Sequence, residues 1–269
     1  MKKLNGIPQL GFGTYPLKDH DAYNAVRMAI DLGYRHIDTA QLYFNEAPVG
    51  RAVKDSGIHR SDFFIVSKVD PGNLDANHFA SSTQTSLENL GGPVDLLLIH
   101  WPPQDSEIEA SVDRLMAEKQ KGSTKNIGVS NFNVAMMRNA HAQTKGEIIC
   151  NQVEFHPLID QTAILKAARE LGIVIEAYSP IARGKALLPD QIKTIATKLQ
   201  RPPSEIVLRW IVQQGVVPIP MTTKHDNAAS NLRALEFELS EADMNVISAL
   251  GKKEGRMINT DWMRGRWDN

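Results

Sequence analysis

Short apolar runs alternate with amphipathic runs along almost the whole chain, about eight times over. "PQLGFGTY" precedes "DAYNAVRMAIDLG", "YRHIDTA" precedes "NEAPVGRAVKDSG", and "FFIVSKV" precedes "LDANHFASSTQTSLENLGG". "VDLLLIHW", "KNIGVSNF", "IICNQVEF", "IVIEAYSP" and "VVPIP" continue the series, each before a helical stretch. The helical stretches carry apolar residues at three-and-four spacing, as Ala25, Met28, Ala29 and Leu32 do, and many end on glycine. The strand-like runs are apolar on both faces, as parallel strands covered by helices are. The repeat therefore predicts an α/β fold of the (β/α)8 TIM-barrel type, as one domain over residues 1–269. Asn5-Gly6 predicts an N-terminal β-hairpin able to plug the barrel base. "DQIKTIATKLQ" and "SEADMNVISALG" predict extra helices before and after the last repeat.

Charge narrows the function classes. Thirty basic residues against 31 acidic ones leave a net charge of -1, so no footprint for nucleic acid or anionic lipid is present. The apolar runs are too short to span a bilayer, and "MKKLNGIPQLGFGT" lacks the apolar core of a signal peptide. Cys150 is the only cysteine, so no intrachain disulfide can form, and a cytoplasmic protein is expected. Within "EIICNQVEF", Cys150 reads as a small buried hydrophobe.

Active sites of such barrels lie at the carboxyl ends of the strands. The polar residues at those ends are Asp38, Lys68, His100, Ser130, Asn131, Gln152, Tyr178 and Ser179. Strand side chains alternate, so Leu96, Leu98 and His100 share a side, as do Phe64, Val66 and Lys68, and His36 and Asp38. With strands roughly 4.8 Å apart, Asp38, Lys68 and His100 converge on one rim. Tyr43, in the loop "AQLYFNE", can reach back over it. Singly each residue has a bland explanation: a helix cap, a solvated lysine, a core histidine, a packing tyrosine. An acid, a base and two aromatic donors at consecutive strand ends are harder to explain that way.

"GYRHIDTAQLYFNE", "VSKV", "LLLIHWP", "GVSNF", "NQVEFHP" and "EAYSPIARG", in this order over nearly the whole chain, resemble the aldo-keto reductase family, in particular its bacterial diketogluconate reductase-like and aldehyde reductase members. The resemblance implies a catalytic tetrad of Asp38, Tyr43, Lys68 and His100, and reduction of small aldehydes or ketones with hydride from NAD(P)H. Tyr43 would donate the proton. A phenol titrates near pH 10 when free, and a Lys68 cation beside it is expected to lower that value. Asp38 would keep the lysine charged, and neutral His100 would donate a hydrogen bond to the carbonyl oxygen.

No G-x-G-x-x-G loop is present. The resemblance instead implies a cofactor extended across the rim, held by Gly13, Thr14, Asp38, Ser130, Asn131, Gln152 and Tyr178, then Ser179, Pro180, Ile181 and Ala182. At the far end lie Ile219, Met221, Thr222, Thr223, Asn227 and Asn231. Met221 and Asn227 stand where the family has a lysine and an arginine that clamp the 2′-phosphate of NADPH, and Ser230 replaces a glutamate near the adenine. NADPH with relaxed selectivity, NADH being accepted, is the expectation. Thr222, Thr223 and Lys224 remain as hydrogen-bonding groups there.

Tyr15, Tyr43, Phe44, His100 and Trp101 are the expected substrate walls, Phe44 narrowing the mouth where the family often has glycine. The tail "NTDWMRGRWDN" either folds over the site with Trp262, Met263 and Trp267 or packs elsewhere. The expected partner is a small carbonyl compound, without nucleic acid or membrane, and the expected state is a monomer, a weak dimer being the alternative. A cofactor-binding regulatory barrel with negligible turnover is the competing class. A glycosidase using Glu154 and Glu176 leaves Tyr43 and Lys68 unexplained. His36, His59, His78 and His156 show no metal-ligand spacing.

Overall fold

The computed structural model of the protein describes residues 2–268. Two short antiparallel strands, β1 (Lys3–Leu4) and β2 (Ile7–Pro8), form the expected hairpin, with Asn5 and Gly6 both at positive φ. Eight parallel strands follow: β3 (Phe12–Gly13), β4 (His36–Asp38), β5 (Phe64–Val69), β6 (Val94–Ile99), β7 (Thr124–Ser130), β8 (Ile148–Glu154), β9 (Val174–Tyr178) and β10 (Val216–Pro218). Each pairs with the next in sequence. The last returns to the first through two backbone bonds: Gly11 N–H to Pro218 O, 3.0 Å, and Gly13 N–H to Pro220 O, 3.1 Å. A Cβ on Gly13 would lie 2.7 Å from the Ile219 carbonyl oxygen, so the seam closes only because residue 13 has no side chain.

The connections are helical: α1 (Asp19–Asp31), α2 (Glu46–Asp55), α3 (Phe79–Leu90), α4 (Ile108–Lys121), α5 (Val134–Gln143) and α6 (Thr162–Leu171). Between β9 and β10 run two helices, α7 (Asp190–Leu199) and α8 (Pro203–Gln213), and α9 (His225–Arg233) and α10 (Glu241–Ser248) complete the set. Gly91, Gly122 and Gly172 end α3, α4 and α6 in the left-handed conformation their missing Cβ permits.

Alternation along the strands makes two cores. Ile37, Ile65, Leu97, Ile99 and Val129 face outward under the helices. Phe64, Val66, Leu96, Leu98, Cys150, Val174 and Val217 fill the barrel, where Ile7 of the hairpin plugs the base. Cys150 is fully buried there, as a small hydrophobe would be. No helix among the described residues is long and apolar enough to cross a membrane.

Candidate active site

The inward phase of β4 and β5 delivers Asp38 and Lys68 to one rim, since His36 pairs with Phe64, and Asp38 with Val66, in register. Lys68 is completely buried and its three ammonium hydrogens have three acceptors. They are Asp38 Oδ1 at 2.7 Å, the Thr39 carbonyl at 2.9 Å and the Tyr43 hydroxyl at 3.3 Å. Tyr43 comes from the helical turn after β4, and its ring meets the edge of His100 at 5.4 Å between centroids. His100 follows the last residue of β6 directly. All four proposed tetrad residues therefore meet.

Burial alone would lower the Lys68 pKa, but Asp38 and the Tyr43 hydroxyl more than offset it, so the group stays a cation. Burial raises the Asp38 pKa and the nearby Glu176 carboxylate adds to this, against the pull of Lys68. Burial and the Lys68 charge hold His100 well below its ordinary range, so its ring is neutral. Its Nδ1 is buried without a partner. Tyr43 corrects the expectation. Lys68 does lower its pKa, but burial is the larger effect and the phenol lies above its ordinary 10.0.

These groups open into a cavity of about 1100 Å³. Its walls include Gly13, Thr14, Asp38, Ser130, Asn131, Gln152, Tyr178, Ser179, Pro180, Ile181, Ile219 and Met221. Thr14 is tied to the rim by its N–H and hydroxyl, both donating to the Asp38 carbonyl. Asn131, at positive φ, donates to the His100 carbonyl and to Ser130 Oγ, both at 3.1 Å. The Tyr178 hydroxyl donates to Asn131 Oδ1 at 2.8 Å, and the Ser130 hydroxyl to the Gln152 carbonyl at 2.8 Å. Gln152 Nε2 donates to Asp38 Oδ2 at 2.8 Å and to Glu176 Oε2 at 2.9 Å.

Several residues singled out from the sequence lie elsewhere. Ala182 is fully buried behind the wall, and Thr222, Thr223, Asn227 and Asn231 are not among its lining residues. Thr222 Oγ1 accepts the N–H of Lys224, Asn227 is exposed on α9, and Asn231 is buried beside the Tyr34 hydroxyl. Phe44 does not narrow the mouth. Its backbone is left-handed (φ 53°), which turns the ring out to solvent under the Lys18 ammonium, 4.8 Å from its centroid. That conformation favours glycine, the residue the resemblance expects there. Glu154 and Glu176 are buried and neither lines the cavity, so a pair of opposed carboxylates is not available for glycoside chemistry.

The tail does fold over the opening. Ile258, Thr260, Trp262 and Arg266 line the cavity beside Tyr15 and Trp101. Glu154 anchors the segment by accepting the N–H groups of Met257 and Ile258, at 2.8 and 2.9 Å. Arg266 pins its other end to the Pro103 carbonyl and Asp105. Trp262 and Trp267 set their ring edges against Trp101, at 5.9 and 6.3 Å. Such an aromatic contact contributes about 0.5–1.5 kcal/mol. A Trp262→Ala protein is therefore expected to raise KM for an apolar aldehyde about 2- to 10-fold, with kcat within about twofold. An unchanged KM would remove Trp262 from the substrate wall. Arg183, Pro220, Ile258, Thr260 and the Asp70–Pro71 turn also line the cavity without having been singled out. For Asp70, Pro71, Arg183 and Pro220 the one sequence signal is position in loops that follow barrel strands, and Ile258 and Thr260, in the tail after α10, have none.

Comparison with known proteins agrees with this fold. The family model for the aldo/keto reductase family matches residues 5–252. A methylglyoxal reductase DkgB of Yersinia pestis is 40% identical over 266 residues, 97% of this chain and 99% of that protein. Its Salmonella typhi counterpart is 38% identical over the same length. Among solved structures, the aldo-keto reductase MGS-M4 from a deep-sea metagenome library superposes with a TM-score of 0.90 at 33% identity, covering 98% of this chain and 96% of that one. A variant of Gox0644 in complex with NADPH superposes with a TM-score of 0.89 at 31% identity, covering 94% and 93%.

Proposed function

The chain belongs to the aldo-keto reductase family and reduces carbonyl groups with NAD(P)H, and from that premise we propose how its own residues divide the work. Tyr43 gives its proton to the carbonyl oxygen. Lys68, held as a cation by Asp38, steadies the negative charge the phenol acquires as it does so. His100 donates one N–H to the same oxygen. Its buried, unpartnered Nδ1 is better left as a bare acceptor, which puts the proton on Nε2. The nicotinamide, when bound, supplies the hydride.

The residues present fit such a cofactor. The cavity is as large as sites for big ligands, and it extends from Trp101 and Trp262 past Tyr178 to Ile181 and Met221. Tyr178 would offer its ring to the nicotinamide, Ser130, Asn131 and Gln152 would hold its carboxamide, and Ser179 to Ile181 would line the pyrophosphate. The observation that carries the whole reading is the completely buried Lys68 bonded at once to Asp38 and Tyr43.

Cofactor selectivity follows from what is missing at the adenosine end. Met221 and Asn227 carry no charge, and exposed Asp226 adds a negative one in the first turn of α9. Two charge-assisted hydrogen bonds, each worth about 1.5–3 kcal/mol, are lost relative to a lysine–arginine clamp. NADPH and NADH are expected to give kcat/KM values within about tenfold of each other, compared with about a hundredfold or more for a charged clamp. A thousandfold preference for NADPH would show that Lys224 or another group replaces the clamp. The relatives' name, methylglyoxal reductase, suggests 2-oxoaldehydes as substrates, and the mostly apolar cavity suits small, varied carbonyl compounds. We read the whole chain as one monomeric unit in the cytoplasm. Walls drawn from Gly13 and from Arg266 support the single domain, and the single buried cysteine suits a reducing compartment. The test is a matrix of both reduced cofactors against aldehydes, ketones and keto acids on purified protein. Bound NAD(P)H that no carbonyl compound oxidises would identify a regulator in place of an enzyme.

A further inference from the structure

Glu176 lies in the centre of the barrel, completely buried, and takes no part in the chemistry above. Its Oε2 accepts from Gln152 Nε2 at 2.9 Å, and its Oε1 lies 3.3 Å from His36 Nε2. The other nitrogen of that ring is 3.3 Å from the Pro8 carbonyl of the hairpin. Cys150 also faces Glu176, and the Lys68 charge reaches it. The Gln152 amide, the neighbouring His36 ring and the Lys68 charge together outweigh burial and hold the Glu176 carboxyl below its ordinary range, although Oε1 and His36 Nε2 make no hydrogen bond to each other.

The consequence falls on Gln152. Both hydrogens of its amide are donated to carboxylates, one to Asp38 and one to Glu176. Turning the amide over would point its oxygen at two carboxylates, so only one orientation is tolerable. The rest of the cluster is committed in the same sense. The Ser130 hydroxyl and the Asn131 amide donate to protein acceptors, and Tyr178 donates to Asn131. What these side chains have left for a ligand is acceptor lone pairs. We infer that Glu176 is a positioning residue: by locking the Gln152 amide it makes the Ser130–Asn131–Gln152 cluster a receptor that selects ligands bearing a primary amide N–H.

This rests on the proposed cofactor site, and the two can fail separately. The probes are NADPH and its reduced 3-acetylpyridine analogue, which has a ketone in place of the amide and so offers no N–H. Binding is read by quenching of tryptophan fluorescence. Wild-type protein is expected to prefer NADPH by up to about tenfold, the worth of one hydrogen bond. Glu176→Leu leaves Asp38 as the one carboxylate still holding the Gln152 amide, which loosens its orientation, and the preference should shrink to about threefold or less. Glu176→Gln keeps an acceptor and should restore it. A general loss of packing would weaken both nucleotides alike and leave the ratio unchanged, and that result overturns the role of Glu176 alone. Wild-type protein that binds neither nucleotide overturns the cofactor site as well. A measurement on the wild type guards against variants that do not fold. The two Gln152 side-chain amide hydrogens should exchange slowly with solvent in NMR spectra of the nucleotide-free protein, and fast exchange would show that no lock exists.

Discussion

Replacing Tyr43 with Phe is expected to lower kcat/KM for aldehyde reduction by about 10²- to 10⁴-fold while leaving NAD(P)H affinity almost unchanged. The variant removes one oxygen, and with it the only proton donor bonded to the Lys68 ammonium. The aromatic ring, which packs against Tyr15 and His100, remains. The wild-type pH profile should identify the same group. Tyr43 titrates above its ordinary 10.0, so its acid form persists through neutral and mildly alkaline pH, and the reduction rate should not fall with pH until beyond that value. His100, with its pKa depressed, stays neutral over the same range and adds no limb near pH 6.5. Steady-state rates with one aldehyde at saturating cofactor, set beside a fluorescence titration of each protein, check both points. Retention of full activity by the Phe variant would remove Tyr43 as the acid.

Lys68→Met should be damaging in a different way, costing fold stability as well as rate. Asp38 is almost completely buried, with Lys68 as its cation and Glu176 as a neighbouring acid. Removing one member of a buried pair strands the other, at a cost of about 3–5 kcal/mol. In a chain of this size that corresponds to a drop in Tm of about 6–20 °C. The double variant with Asp38→Asn removes the stranded charge as well and should recover much of the Tm. It should not recover activity, because the cation that lowers the cost of a phenolate is still missing. Denaturation scans and initial rates on the single and double variants separate the two roles. Recovery of activity in the double variant would show that Lys68 acts only as a structural counter-ion.

The convergence of Asp38, Lys68 and His100 could be read from the sequence because strand alternation is local, while Tyr43, in a loop, is added by the family resemblance. Two-residue spacing puts Val66 and Lys68 on one side, and eightfold repetition says that this side is interior. The sign of the Tyr43 shift could not be read in the same way. It depends on how completely several loops cover the ring, and burial proved stronger than Lys68. The link from Gln152 to Asp38 spans 114 residues and leaves no spacing to find. Glu176 is one of two carboxylates near strand ends in the sequence, and only the closed barrel places it beside Gln152, facing His36. The tail was ambiguous because its aromatic residues have no periodicity, and its position is set by Glu154, about a hundred residues earlier. Phe44 was misplaced because residue type alone does not disclose a left-handed backbone.

The seam between β10 and β3 bears on how the molecule is assembled. Gly11 and Gly13 donate to carbonyls of Pro218 and Pro220, residues that have no N–H of their own to offer. During synthesis on the ribosome the early strands β3 and β4 are made long before the segment that completes the ring. Until residues 216–220 emerge, one side of β3 is a bare edge, open to pairing with another nascent chain. The length of that interval is set by how far apart in the chain the two sides of the seam lie, about two hundred residues of synthesis.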